Sequence, residues 1–348
     1  MGIINYNKRF FRQPETWIKD IKLKQRIISA LIAIPLFLAI ILFAPQPIYL
    51  AFWHLCIIAC SYEFFKIRGL SKINSLISSV IVGSVAPVVC YLWKYAHLSE
   101  NMKITIFFII SCLSILIPII WVFIIPKMFK KYNKNQDYKG NNIILFLLWF
   151  LIITYFYIFA FLSTFDAGFN PRGLQFRIIL LLTLVTIWAN DAGAYFVGKA
   201  IGKRKFSPII SPNKTWEGFW GGMVVALIVS IVVNVLFFWT FEHDYAGALI
   251  YALLTAPLIS IFATIGDLFQ SMLKRMAGVK DSGNIMPGHG GVFDRIDSWL
   301  SVGSLYSAIV SIFLFLFFML FVASLSKDTD DDRVRLKPSI ERNIAYHQ

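Results

Sequence analysis

Nine apolar blocks, at residues 27–44, 48–65, 75–93, 104–126, 143–163, 177–198, 219–241, 247–266 and 297–325, constrain this chain more than any other feature. Blocks near twenty residues long cross roughly 30 Å of hydrocarbon as α-helices. Lipid offers the backbone no water to bond, so the helix, which satisfies its own N–H and C=O groups, is the form such blocks take. Composition agrees. Charged residues are 15% of the chain, against about 25% in an ordinary soluble domain, and mean hydropathy is +0.69. The reading is an all-α polytopic integral membrane protein with about nine transmembrane helices.

The net charge of +14 then belongs to loops and anionic headgroups. Nucleic acid is not expected as a partner, because no soluble basic module is present to bind it. The N-terminal segment and the connections at 66–72, 127–139, 199–214 and 274–295 together hold 24 of the 33 Lys and Arg residues. Basic loops stay in the cytoplasm. The N-terminus is therefore placed inside and, with nine spans, the C-terminus outside. In a bacterium this would be the inner membrane.

Four regions follow: a basic cytoplasmic segment at 1–26, apolar helices at 27–165, a second helical region at 177–325, and a polar tail at 326–348. In the first, Phe10, Phe11, Trp17, Ile18, Ile21 and Leu23 make a loosely amphipathic pattern suited to an anionic surface. The first apolar block reads as a retained span, since no small-residue cleavage site follows it. Gly2 opens no myristoylation motif, because Tyr6 stands where Ser or Thr is needed. The tail, with Asp328, Asp330, Asp331 and Asp332, lacks EF-hand spacing and reads as a flexible end. Cys56, Cys60, Cys90 and Cys112 all fall inside apolar blocks without metal-ligand spacing and read as buried free thiols.

Chemistry concentrates in residues 266–298, GDLFQSMLKRMAGVKDSGNIMPGHGGVFDRIDS, between the last two apolar blocks. Acid, base and glycine together suit a divalent metal held with phosphate: Mg²⁺ takes one or two carboxylates plus phosphate oxygens, and Lys and Arg balance the remaining charge. Asp267, Ser271 and Lys274 recur at helical spacing as a polar stripe, opposed by Leu268, Met272, Met276 and Val279. The eighth span should therefore continue as an amphipathic helix and end near Gly278. The glycines around His289, Gly290 and Gly291 let backbone N–H groups approach a ligand, as phosphate-cradling loops do. His289 itself reads equally as a phosphate donor or a structural residue. Asp294 and Asp297 lie three apart at the start of the ninth helix and share a face. Asp267 and Asp294, on different helices, are the pair expected to converge on the metal.

Two further stretches carry costly polarity. Asn190 and Asp191 stand side by side inside the sixth block, where burying charge is expensive and often functional. Residues 211–218, Ser-Pro-Asn-Lys-Thr-Trp-Glu-Gly, combine a turn, the single Lys214 and a helix start. Ser211 or Asn213 is expected to cap the seventh helix, with Pro212 in its first turn. A helix N-terminus beside Lys214 is a ready anion site.

These blocks resemble the phosphatidate cytidylyltransferase, or CDP-diacylglycerol synthase, family. Its signature is matched by Ser271, Leu273-Lys274-Arg275, Lys280-Asp281, Gly283, Met286-Pro287, His289-Gly290-Gly291-Val292 and Asp294-Arg295-Ile296-Asp297. The one departure is Met286, where the pattern asks for Leu, Ile or Phe, a volume-conserving change. The runs around Asp191 and at 211–218, and the Gly266-Asp267 pair, also resemble family blocks in order. The resemblance covers residues 188–298; the acidic tail has no counterpart in it.

The resemblance implies Mg²⁺-dependent transfer of CMP from CTP to phosphatidic acid, releasing pyrophosphate, in a polar cleft facing the cytoplasm. It implies metal on Asp267 and Asp294. Catalytic roles fall to Asp191, Lys214, Lys274, Arg275, Lys280, Asp281, Arg295 and Asp297, and substrate contacts to Ser211, Ser271, His289, Gly290 and Gly291. A second cation such as K⁺ and a homodimer belong to the same implication.

Two rival classes fit the residues less well. A CDP-alcohol phosphotransferase needs D-G-x2-A-R followed by paired aspartates, which neither Asp166 nor Asp191 begins. An ion-coupled transporter would set its charges near the midplane between matching halves, whereas here they gather at one face. The topology is tested by accessibility: Lys134→Cys should be labelled only from the cytoplasmic side and Thr329→Cys only from the opposite side. Labelling of both from one side would make the span count even.

Overall fold

A computed structural model of the protein describes residues 31–164, 174–241, 245–286 and 290–345. Among these residues, eight helices are long and apolar enough to cross a membrane. The first apolar block is described only as the shorter helix α1 (Leu31–Phe43); its opening residues 27–30 and the basic segment 1–26 lie outside the described residues. There follow α2 (Gln46–Ile67), α3 (Lys72–Tyr95), α4 (Glu100–Ser114), α5 (Leu116–Ile119), α6 (Ile125–Lys134), α7 (Asn142–Leu162) and α8 (Leu174–Ile201). A small hairpin of β1 (Lys205–Ser207) and β2 (Ser211–Thr215) precedes α9 (Trp216–Phe241), α10 (Tyr245–Met276) and α11 (Phe293–Ala345). The protein is an all-α polytopic membrane protein carrying one two-stranded sheet.

Local chemistry sets the helix limits. Ser71, Ser99 and Asn141 each accept hydrogen bonds from first-turn N–H groups and so open α3, α4 and α7. The fourth apolar block is one span, Asn101–Lys134, in pieces. Pro118 and Pro126 lack the N–H that an α-helix interior needs. The chain answers with the four-residue α5, a π-helical turn at Ile120–Ile124, and α6. Toward lipid, α9 presents Val224, Ile228, Val232 and Leu236 as an exposed stripe at four-residue spacing.

The core is aromatic where the two halves of the chain meet. Trp149 of α7 stacks on Phe64 of α2 with ring centroids 4.4 Å apart and takes Phe293 edge-on at 5.0 Å. Its indole N–H donates to Ser61 Oγ at 3.0 Å. Phe293 opens α11, so this cluster grips the helix that follows the glycine loop. Along α11, Ser301, Ser304 and Ser307 recur every third residue; they bond Phe262 O, the Trp121 indole and Tyr155 O on neighbouring elements. At the crossing of α10 and α11, a Cβ on Gly266 would lie 2.3 Å from Ser301 Oγ. Only glycine permits that approach, and it brings the Asp267 end of α10 against the Asp297 turn of α11.

Three expectations are corrected. Ser211 and Asn213 do not cap a helix, because residues 211–215 are extended and pair antiparallel with 205–207. Helix α9 starts at Trp216, and Thr215 Oγ1 caps it by accepting from Gly218 N at 3.1 Å. Ile210, at the hairpin turn, is fully buried. The tail is helical as far as Ala345, with Pro338 inside the helix, where a flexible end was expected. Of the four thiols, Cys60 and Cys90 are buried, but Cys112 is exposed, since its side of α4 faces outward.

Trp149→Ala should remove the stack, the edge contact and the Ser61 bond together and lower stability by about 3–5 kcal/mol. Val232→Ala on the lipid face should stay within about 0.5 kcal/mol of wild type. Unfolding of the purified variants in detergent measures both; equal losses would remove the aromatic cluster from its place in the core.

Candidate active site

Polar side chains from α8, β2, α10 and α11 converge on one cavity of about 660 Å³. Every lining residue lies between 190 and 298. The carboxylates on its wall are Asp191, Asp267, Asp281, Asp294 and Asp297, and the cations are Lys199, Lys214, Lys274 and Arg295. Neither sign dominates. A wall of mixed charge suits a ligand that combines anionic groups with a cation.

The elements position these groups for separate reasons. Asp191 and Asn190 lie on α8, with the amide of Asn190 donating to Asp191 Oδ1 at 3.3 Å. Lys214 reaches the cavity from the hairpin. Phe206 of β1 packs its ring 4.4 Å from Trp216 and 5.6 Å from Phe219. Glu217 latches the hairpin start by accepting from Lys203 N at 3.0 Å and Arg204 N at 3.1 Å, with Arg204 Nε at 3.2 Å. From this braced strand, Lys214 Nζ lies 2.6 Å from Asp267 Oδ2 on α10. The pair is half-exposed, at 27% and 32% of the two side chains. Ser271, one turn on, donates to Asp267 Oδ1 at 3.3 Å.

The second pair is buried. Lys274 Nζ lies 2.7 Å from Asp294 Oδ1, with side-chain exposures of only 13% and 6%. Gln270 Nε2 donates to the same oxygen at 2.7 Å. Asp294 Oδ2 accepts from Ser282 N at 2.8 Å, Ser282 Oγ at 2.9 Å and Gly291 N at 3.0 Å. A buried carboxylate is tolerated when paired and bonded in this way. Its two oxygens are taken by the protein, which differs from the expected convergence of Asp294 with Asp267 on a metal. Asp191 and Asp297 share the cavity wall with Asp267. Among the described residues neither Asp191 nor Asp297 forms an ion pair at bonding distance, though Lys214 lies near enough to act on both. No group of three or more His, Cys, Asp or Glu side chains forms a metal cage among the described residues.

The other expected residues divide. Asp281 and Arg295 line the cavity. Arg275 is exposed and bonds Val279 O at 3.4 Å, and Lys280 is exposed; neither lines it. Ser211 sits in the hairpin, paired with Ser207, away from the cavity wall. Gly290 N donates to Met286 O at 3.1 Å and Gly291 N to Asp294, so both N–H groups bond inside the loop rather than facing a ligand. His289 lies outside the described residues.

Sequence reasoning missed Glu63. It is 1% exposed on α2, and its carboxylate accepts from Ser282 Oγ, Val292 N and Phe293 N. A lone acid inside the second apolar block was the available signal, by the argument that selected Asp191. Gln270, Tyr195, Phe206 and Phe219 also line the cavity and carried no distinctive spacing.

Comparison with known proteins places these features in context. The chain matches the cytidylyltransferase family over residues 24–313. It is 37% identical over 203 residues to a phosphatidate cytidylyltransferase of Bacillus subtilis, covering 53% of this chain and 72% of that protein. Against the Haemophilus influenzae phosphatidate cytidylyltransferase the identity is 32% over 292 residues, 79% of this chain and 94% of the relative. The Pseudomonas aeruginosa enzyme of that name is 45% identical over 132 residues, which is 38% of this chain and 47% of the relative.

The two aspartates should separate in stability. Asp294→Asn points an NH₂ at groups that are all donors and should cost about 3–5 kcal/mol, as for a broken buried pair. Asp267→Asn, in a half-exposed pair, should cost less than about 1 kcal/mol. Thermal unfolding of each variant in detergent checks this, and a matching drop in both midpoints would contradict the assignment of Asp294 to the framework.

Proposed function

Because the chain belongs to the cytidylyltransferase family, we propose that it transfers CMP from CTP to phosphatidic acid, giving CDP-diacylglycerol and pyrophosphate. The names of its relatives support the lipid substrate. One observation carries the reading from the geometry: Lys214 and Lys274, on different elements, hold separate aspartates on the wall of a single cavity. Two phosphate-bearing substrates must meet in such a reaction, and two independently mounted cations suit that need.

An oxygen of the lipid phosphate attacks the α-phosphorus of CTP. A new P–O bond forms, the bond to the β-phosphate oxygen breaks, and pyrophosphate leaves with that electron pair. No enzyme nucleophile is needed, so catalysis is positioning and charge neutralisation. Lys214 is half-exposed and exchanges its partner at little cost, so it meets incoming phosphate directly. Lys274 is fixed by Asp294 and offers its remaining N–H donors from a set position. Arg295 adds a further cation to the wall.

Mg²⁺ belongs to this reading, and the donors suit it. Asp191, Asp267 and Asp297 are hard oxygen donors on the wall of one cavity, and Mg²⁺ uses only one or two carboxylates, completing its shell from water and phosphate. When bound by these residues it would supply charge neutralisation at the phosphates. Asp294 is set aside as a ligand because its oxygens already accept from Gln270, Lys274 and the N–H groups of Ser282 and Gly291.

With the basic connections inside, the cavity faces the cytoplasm, where CTP is found. Phosphatidic acid keeps its phosphate at headgroup level and reaches the cavity without leaving the bilayer. The test is incubation of purified protein in detergent with phosphatidic acid, labelled CTP and Mg²⁺. Wild-type protein should form CDP-diacylglycerol and pyrophosphate in equal amounts, and Asp267→Asn should retain less than a tenth of that turnover. Absence of CDP-diacylglycerol from the wild-type reaction would overturn the function.

A further inference from the structure

We propose that Glu63 is a positioning residue for the transfer step, acting from the opposite half of the chain on the loop that joins α10 to α11. The proposal rests on the cytidylyl-transfer reading above. Glu63 touches none of the cavity: every lining residue lies between 190 and 298. Its carboxylate instead fastens the loop from behind. Oε2 accepts from Phe293 N at 2.9 Å and Ser282 Oγ at 2.8 Å, and Oε1 accepts from Val292 N at 3.1 Å.

The loop is shaped around this carboxylate. A Cβ on Gly283 would lie 2.4 Å from Glu63 Oε1, and one on Gly291 would lie 2.2 Å from Oε2. The contact is also built on a firm base. Phe64, the next residue on α2, is stacked on Trp149, which in turn packs on Phe293. One helix turn of α2 thus reaches both ends of the segment 282–293 with a carboxylate and braces its Phe293 end through Trp149.

A helix start needs no distant acid, since a local Ser, Thr, Asp or Asn caps it more simply. What Glu63 adds is a second clasp on Ser282. The one hydroxyl hydrogen of Ser282 lies between Glu63 Oε2 at 2.8 Å and Asp294 Oδ2 at 2.9 Å, so when it goes to Glu63 the serine still holds Asp294 through its backbone N–H at 2.8 Å. Asp294 holds Lys274, and Lys274 lines the cavity. The chain of contacts is Glu63, Ser282, Asp294, Lys274, and its far end is a cation that faces phosphate. Loss of the first contact releases the loop and lets Lys274 drift from the place where transition-state charge develops. A misplacement of that kind falls on kcat rather than on ground-state binding.

The test is steady-state kinetics on purified full-length protein, with CTP and phosphatidic acid varied in turn and rates expressed per folded molecule. E63Q keeps the shape but turns an NH₂ toward groups that are themselves donors. It should lower kcat at least tenfold while leaving both KM values within twofold of wild type. A part in folding alone would reduce the yield of folded protein without changing kcat per folded molecule. A second pair of variants uses the glycine contact. Gly283→Ala forces a methyl against the carboxylate and should also lower kcat. Glu63→Asp, which withdraws the carboxylate by one methylene, should restore activity at least fivefold when combined with Gly283→Ala.

Wild-type turnover with E63Q kcat within twofold of normal would overturn the positioning role and leave the function standing. So would a Gly283→Ala/Glu63→Asp double variant no better than Gly283→Ala alone, and this pair decides the matter if E63Q does not fold. A wild-type protein that makes no CDP-diacylglycerol would overturn the function and the role together.

Discussion

The candidate site depends on keeping one buried anion satisfied. Asp294 is 6% exposed, and an unpaired carboxylate at such depth costs several kcal/mol. The chain meets the requirement with two donors from α10 and two backbone N–H groups of the loop before α11, helped by the Ser282 hydroxyl that Asp294 shares with Glu63. Much of the spacing between Gln270 and Asp294 follows from it. Gln270 and Lys274 must lie one turn apart on α10, and the loop must fold back so that Ser282 and Gly291 aim their N–H groups at one oxygen. The donors that would cradle a phosphate in a ligand-binding loop here hold a carboxylate of the protein itself.

The second ion pair works on other terms. Lys214 and Asp267 are half-exposed, so their mutual attraction is screened and easily exchanged. Asp267 has only a serine on its other oxygen, and Asp191 and Asp297 stand near it. One lysine–aspartate pair is therefore framework and the other is adjustable, although the two look alike in composition. Burial separates them, and burial is a property of the packed bundle.

That difference marks what could be read in the amino-acid sequence. Charges in an apolar chain are costly, so Asp191, Lys214, Lys274, Asp294 and Asp297 declared themselves, and the cavity collects all five. Helical periodicity also placed Asp267 and Lys274 on one face of α10. The division of Asp267 from Asp294 was not legible, because it turns on which donors fold back onto which oxygen. The hairpin was hidden for another reason: three- and five-residue strands leave little alternation to detect, and the proline and serines around them resemble a helix start. Glu63 lies 219 residues from Ser282 and 230 from Phe293. No local pattern joins them, and only the expense of an acid in an apolar helix pointed to it.

The position of Glu63 follows from the geometry of a site that must stay open. A cavity of this kind cannot be braced from its mouth, because that side admits the ligands. The loop between α10 and α11 carries five glycines, at 278, 283, 288, 290 and 291, and has little side-chain mass to brace itself. Its support has to come from the packed side. There the first half of the chain supplies α2 and α7, locked by the stack of Phe64 on Trp149. A purely apolar brace would hold Phe293 but could not satisfy the N–H groups of Val292 and Phe293, which face inward at the helix start. A carboxylate does both, and the cost of burying it is offset by two backbone donors that would otherwise be unmet and by the hydroxyl of Ser282. The first half of the chain, which contributes no cavity wall, is tied in this way to the placement of the charges in the second.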